Sequence, residues 1–177
     1  MTIRACGSSI RAVHRLDRAE AARLASEAEA SLRVAQEALE PFPAMASAGP
    51  LHDAQKEYAE ARLTAALVDD APLPGPDGLG VSAAAWLNGL AEAASELRRH
   101  ILDRLRSGDL DRGETLLEAM DDVYGLLVSV DYPDAVTGGL RRTTDALRAV
   151  LERTRGDVTT TVLQSRLQRS IETRRSG

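Results

Sequence analysis

Apolar residues recur along this chain at spacings of three and four, and no run alternates long enough with the two-residue period of a strand. The pattern predicts helices almost throughout. Residues 3–15 read as a short first helix, as if its start were trimmed. Asp17, followed by Glu20, reads as a capping box that opens a second helix to about Glu40. Pro41, Pro43, Gly49 and Pro50 mark a loop, and a third helix follows from Leu51 to Asp69. The stretch 72–78, rich in proline and glycine, is the strongest breaker in the chain. Ser82 then caps a fourth helix ending near Gly108, and Asp109 caps a fifth reaching Val130. Asp134 starts a sixth that closes at Gly156, and Asp157 a seventh to about Arg174. The expected fold is all-α, a single-domain bundle of about six to seven helices.

Helical phase places the polar residues as well as the core. In the third helix, Leu51, Ala54, Tyr58, Ala61, Ala65 and Val68 form one apolar stripe, while Ala59, Leu63 and Leu67 form another. A turn of about 100° per residue puts Asp53, Glu57, Glu60 and Thr64 in the gap between them, facing protein rather than open water. The fourth helix has its stripe at Trp86, Leu90, Ala94, Leu97, Ile101 and Leu105. Glu92, Glu96 and Asp103 lie nearly opposite, so this second acidic face is compatible with plain solvation.

Composition narrows the class. A length of 177 residues suits one sizeable core. Aromatics make up only 3%, so that core rests on Leu, Val and Ala, which favours close helix packing. The single cysteine, Cys6, excludes an internal disulfide or a cysteine-based zinc site and fits a reducing cytoplasm. No segment has the apolar length of a membrane span or signal peptide. The net charge of −5 is uneven: residues 141–177 hold nine arginines against four acids, about +5, which leaves about −10 for the rest. Lys56 is the only lysine among 22 basic residues. Arginine suits bidentate phosphate contacts, although solvated helix faces account for the same composition.

The candidate chemistry lies in two glutamate pairs, Glu57 with Glu60 and Glu92 with Glu96, each spaced to share one helix face. Four carboxylates on two facing helices would suit a hard divalent cation such as Mg²⁺. A ferritin-like di-iron site needs Glu-x-x-His pairs, whereas Glu96 and His100 are four apart and no histidine follows Glu60 at that spacing. A nucleotide pyrophosphohydrolase is nearer in spirit, but the second pair has the wrong spacing. His14 and His100 read as helix-face residues, and Gly75-Pro76-Asp77-Gly78 lacks the Lys-Ser/Thr of a phosphate loop.

Several ordered motifs resemble the translin family. Residues 55–63, Gln-Lys-Glu-Tyr-Ala-Glu-Ala-Arg-Leu, resemble the "QEYVEA" element of translin-associated factor X. Residues 86–99, from Trp86 to Arg99, resemble "YLLGLADLTGELRR", and Ser107-Gly108-Asp109-Leu110-Asp111-Arg112 resembles the "AGDFERP" turn. Met120-Asp121-Asp122-Val123-Tyr124 sits where the family has "FLNELYD", and Gly139-Leu140-Arg141-Arg142 resembles the start of its last basic helix. The likeness runs in order from about residue 8 to 171 and is strongest to archaeal translin-like forms.

The resemblance implies a helical subunit that assembles into a closed shell, such as an octamer, from its own copies or with a second translin-like subunit. Such shells bind single-stranded RNA or DNA. In the catalytic branch the shell is an endoribonuclease dependent on Mg²⁺ (or Mn²⁺). Carried over by motif, the catalytic and metal-binding residues are Glu57, Glu60, Glu92 and Glu96. The candidate nucleic-acid contacts are His52, Arg98, Arg99, Arg141 and Arg142. The branch that binds without cutting lacks the two "QEYVEA" glutamates, which this chain keeps. Two departures stand out. Glu92 replaces an aspartate, which moves the carboxylate by about 1.5 Å, one C–C bond. Residues 44–50, Ala-Met-Ala-Ser-Ala-Gly-Pro, stand where the family has a basic and aromatic run. With few aromatics for base stacking, affinity would rest on arginine–phosphate contacts that weaken with salt.

Overall fold

The computed structural model describes residues 1–42 and 49–176, and every regular element among them is helical. The elements are α1 (Thr2–His14), α2 (Arg18–Leu39), α3 (Gly49–Asp69), the single turn α4 (Pro76–Leu79), and α5 (Ala83–Ser107). They continue with α6 (Leu110–Val128), the single turn α7 (Asp134–Thr137) and α8 (Leu140–Ser176). Residues 43–48 of the expected loop, Pro43 among them, lie outside the described residues.

The side-chain caps read from the sequence form. Asp17 accepts from the Glu20 amide at 3.1 Å, Ser82 Oγ from Ala85 at 3.2 Å, and Asp109 from Arg112 at 3.3 Å. Each satisfies one of the first-turn amides that a helix leaves without a partner. Gly108 ends α5 at φ 81°, a left-handed conformation that costs glycine little.

The C-terminal third departs from the expected boundaries. Gly156 does not close a helix, and residues 140–176 form one continuous helix. The break comes earlier, at Gly138 and Gly139, both left-handed with φ 63° and 81°. An isolated helical glycine costs only about 1 kcal/mol relative to alanine. Leu151, Thr154 and Val158 are buried on either side of Gly156 and hold the helix through it.

Helix α5 is the axis of the fold, packing against α3, α6, α7 and α8, while α1 and α2 cover α3. Its buried positions therefore run round much of its circumference, from Ala85, Asn88 and Gly89 through Ala93, Leu97 and His100. At Gly89 the contact with α3 is closest. A Cβ there would lie 2.8 Å from the Lys56 carbonyl oxygen, 2.9 Å from Ala59 Cβ and 2.9 Å from the Glu60 amide nitrogen. Only glycine permits that approach, and it brings the glutamates of α3 beside those of α5. Asn88 fixes the other side of α5. Its amide donates to the Ala84 and Thr137 carbonyls at 2.9 and 2.7 Å, and its oxygen accepts from Thr143 Oγ1 at 2.7 Å. Among the described residues no helix is long and apolar enough to cross a membrane.

Candidate metal centre

The polar gap of α3 faces protein, as its phase requires: Glu60 and Thr64 are buried and Glu57 is half-buried, while Asp53 remains exposed. Glu92 of α5 closes on the first two. One carboxylate oxygen from each of Glu57, Glu60 and Glu92 lies within 4.8 Å of the others. The extra methylene of Glu92 thus does not keep its carboxylate out of the cluster. Glu92 itself is half-buried, so the face compatible with solvation is only partly wet.

Burial and crowding of like charge set the electrostatics. Removal from water, then the charges of Glu92, Glu57 and Glu96, push the Glu60 carboxyl up to about 8. The same field reaches Cys6, fully buried on α1, whose thiol is pushed up to about 12 by burial and by Glu57 and Glu60. That thiol is inert. One cation offsets the acids. Lys56 Nζ donates to Glu92 Oε1 at 2.8 Å and stands 3.6 Å from Glu57 Oε1. Burial pulls this ammonium down, yet its bond to Glu92 and the surrounding carboxylates outweigh that and raise it.

Glu96 does not join the three. Its Oε2 accepts from His14 Nε2 at 2.6 Å, and His14 Nδ1 lies 3.0 Å from His100 Nε2, with the rings tilted and 4.9 Å apart. The His14 bond pulls the Glu96 carboxyl below its usual range despite its burial. His100 is buried, and desolvation, then the charge of His14, lowers it to about 4, so it stays neutral. Helix-face histidines in the sequence are thus a buried pair holding one glutamate of the second acidic pair. Neither periodicity nor spacing signals this, because His14 and Glu96 are 82 residues apart.

The expected nucleic-acid contacts divide. Arg98 is engaged within the subunit, donating to Thr154 Oγ1 at 3.0 Å and pairing with Asp157 at 2.8 Å, so it ties α5 to α8. Arg99, Arg141 and Arg142 are exposed. His52, in the first turns of α3, packs under the Gly138 turn, 2.9 Å from where a Cβ would sit.

This fold and sequence have solved relatives. A structure described as AfC3PO in complex with duplex RNA is 30% identical and superposes at TM-score 0.81, covering 92% of this chain and 84% of that one. The chain belongs to the translin family. A crystal structure of AfC3PO gives 29% identity and TM-score 0.78 over 92% of this chain and 87% of that one. Apo-NeC3PO matches at TM-score 0.79 over 90% and 83% of the two chains, but at 20% identity it speaks for the fold alone. An uncharacterized protein of Methanocaldococcus jannaschii is 30% identical over 125 residues, which is 70% of this chain and 56% of that protein. The chain therefore spans little more than half the length of this relative. No family model matches the sequence. The family and the all-α class read from the sequence both hold.

Proposed function

We propose that this chain is an RNA-binding subunit of the translin type and a Mg²⁺-dependent endoribonuclease, with Mn²⁺ able to replace Mg²⁺. It acts in a closed oligomeric shell, built from its own copies or with a second translin-like subunit. The observation that carries the reading is the cluster of Glu57, Glu60 and Glu92. Its donors are all carboxylate oxygens, and one of them, Glu60, is buried where an unpaired charge is costly. Such a set fits a hard divalent cation that keeps several waters, and does not fit a soft metal.

In this reading Glu57, Glu60 and Glu92 hold the ion. Bound there, Mg²⁺ neutralises a scissile phosphate and lowers the pKa of a coordinated water. Glu96 has a separate part. Clamped by His14, it stays ionised one turn beyond Glu92 and positions the attacking water as its hydrogen-bond acceptor. RNA is the substrate class because a solved relative holds RNA. Single-stranded segments are the proposed site of cleavage, and exposed Arg99, Arg141 and Arg142 supply sequence-independent phosphate contacts.

Incubating single-stranded RNA with the protein in Mg²⁺ tests this. Cleavage that EDTA stops and that Glu60→Ala abolishes is the expected result. Cleavage unchanged by Glu60→Ala contradicts it. The alternative, a scaffold that binds RNA without cutting, is favoured by the ion pair that neutralises Glu92; it predicts RNA binding with no turnover in either protein.

A further inference from the structure

The only lysine of the chain sits inside the acidic cluster, and a glutamate site meant for a dication has no evident need of it. Lys56 Nζ is 2.8 Å from Glu92 and 3.6 Å from Glu57, and its side chain is only 22% exposed. The stem begins where α3 and α5 are closest, since the Lys56 carbonyl packs under Gly89. Its ammonium ends between a glutamate of α3 and a glutamate of α5.

We propose that Lys56 is the built-in counter-ion of the glutamate cluster and competes with the divalent cation for Glu92. The inference rests on the cluster being a metal centre, and it adds a control on when that centre fills. A dication held by Glu92 at ordinary coordination distance, about 2.0–2.1 Å for Mg²⁺, meets an ammonium bonded to the same carboxylate. Two positive groups that close repel strongly even at a surface-like dielectric, so the ammonium must leave for the ion to enter. Lysine suits such an exchange better than arginine. It is a compact charge on a flexible four-carbon stem, without the planar fork that locks a guanidinium onto a carboxylate. Without metal, Lys56 keeps two half-buried carboxylates from facing each other uncompensated. With metal, it swings away and the cluster is neutralised by the ion instead.

Mn²⁺ binding to the full chain, followed by electron paramagnetic resonance at one fixed pH, tests this without RNA. Wild type is compared with Lys56→Gln, which removes the charge, and Lys56→Arg, which keeps it. The expected result is that Lys56→Gln binds Mn²⁺ about tenfold more tightly or better, while Lys56→Arg, whose fork holds Glu92 at least as firmly, binds no more tightly than wild type. Mn²⁺ binding by Lys56→Gln alone supports the proposal equally. Equal or weaker binding by Lys56→Gln overturns it, as does equal tightening in both variants, since shape rather than charge would then be at work. If all three bind alike, the metal centre stands and the role of Lys56 falls. If none binds Mn²⁺, the metal centre itself falls and the competition with it.

Discussion

Gly89→Ala is the substitution that most directly probes how the site is assembled. The added Cβ would meet two backbone atoms of α3, Lys56 O at 2.8 Å and the Glu60 nitrogen at 2.9 Å, together with Ala59 Cβ at 2.9 Å. Backbone atoms cannot rotate aside, so the helices must separate by roughly 0.6 Å or more to reach ordinary contact at 3.4 Å. Overpacking of this kind costs about 1–3 kcal/mol. The better helix propensity of alanine returns up to about 1 kcal/mol. Once that gain is subtracted the net loss is roughly 0–2 kcal/mol, a fall of up to about 8 °C in melting temperature for a chain of this size. Gly156→Ala is the matched control, because a Cβ there has nothing within 4 Å. It gains the propensity term without the clash and stabilises by up to about 1 kcal/mol. Thermal unfolding of both variants decides the matter. If Gly89→Ala stabilises as Gly156→Ala does, close approach at Gly89 does not set the spacing of the glutamates.

Other perturbations have equally definite outcomes. Because the folded Glu60 carboxyl is raised from 4.5 to about 8, metal-free stability declines as pH rises across that window. In EDTA, Glu60→Gln is therefore more stable than wild type at pH 8, by up to about 4 kcal/mol, with the gap closing near pH 5, as melting curves against pH would show. His14→Ala removes the bond to Glu96 and the contact with His100, costing about 1–3 kcal/mol at neutral pH. Glu96 is depressed in the folded state, so its share of that loss fades as pH falls through its folded value and the carboxyl protonates. Asn88→Ala strips partners from the Thr137 carbonyl and the Thr143 hydroxyl and costs about 2–3 kcal/mol in chemical denaturation. Arg141→Ala weakens RNA binding alike across sequences and lowers the salt slope of log affinity by about one, whereas Arg98→Ala acts on stability.

Local chemistry made much of the fold legible. Asp17, Ser82 and Asp109 each announce a helix start, and each caps one. Gly156 and the Gly138-Gly139 pair show where local signals mislead: one glycine yields to flanking buried residues, while two left-handed ones in a row end the helix. The phase of α3 located Glu57 and Glu60 against protein, since its apolar stripes bracket them. The phase of α5 could not do the same for Glu92, because burial there depends on how many helices surround it. The pairing of Glu96 with His14, and of Lys56 with Glu92, joins residues far apart in sequence and leaves no periodic trace.

If three glutamates from two helices form a divalent-cation centre, the ion should be visible among them. An anomalous difference map from crystals of the protein soaked in Mn²⁺ tests it most directly. The expected result is a peak within coordination distance of Glu57, Glu60 and Glu92, with the Lys56 ammonium withdrawn from Glu92. A map with no peak among the three carboxylates, and Lys56 still bonded to Glu92 at saturating Mn²⁺, contradicts it.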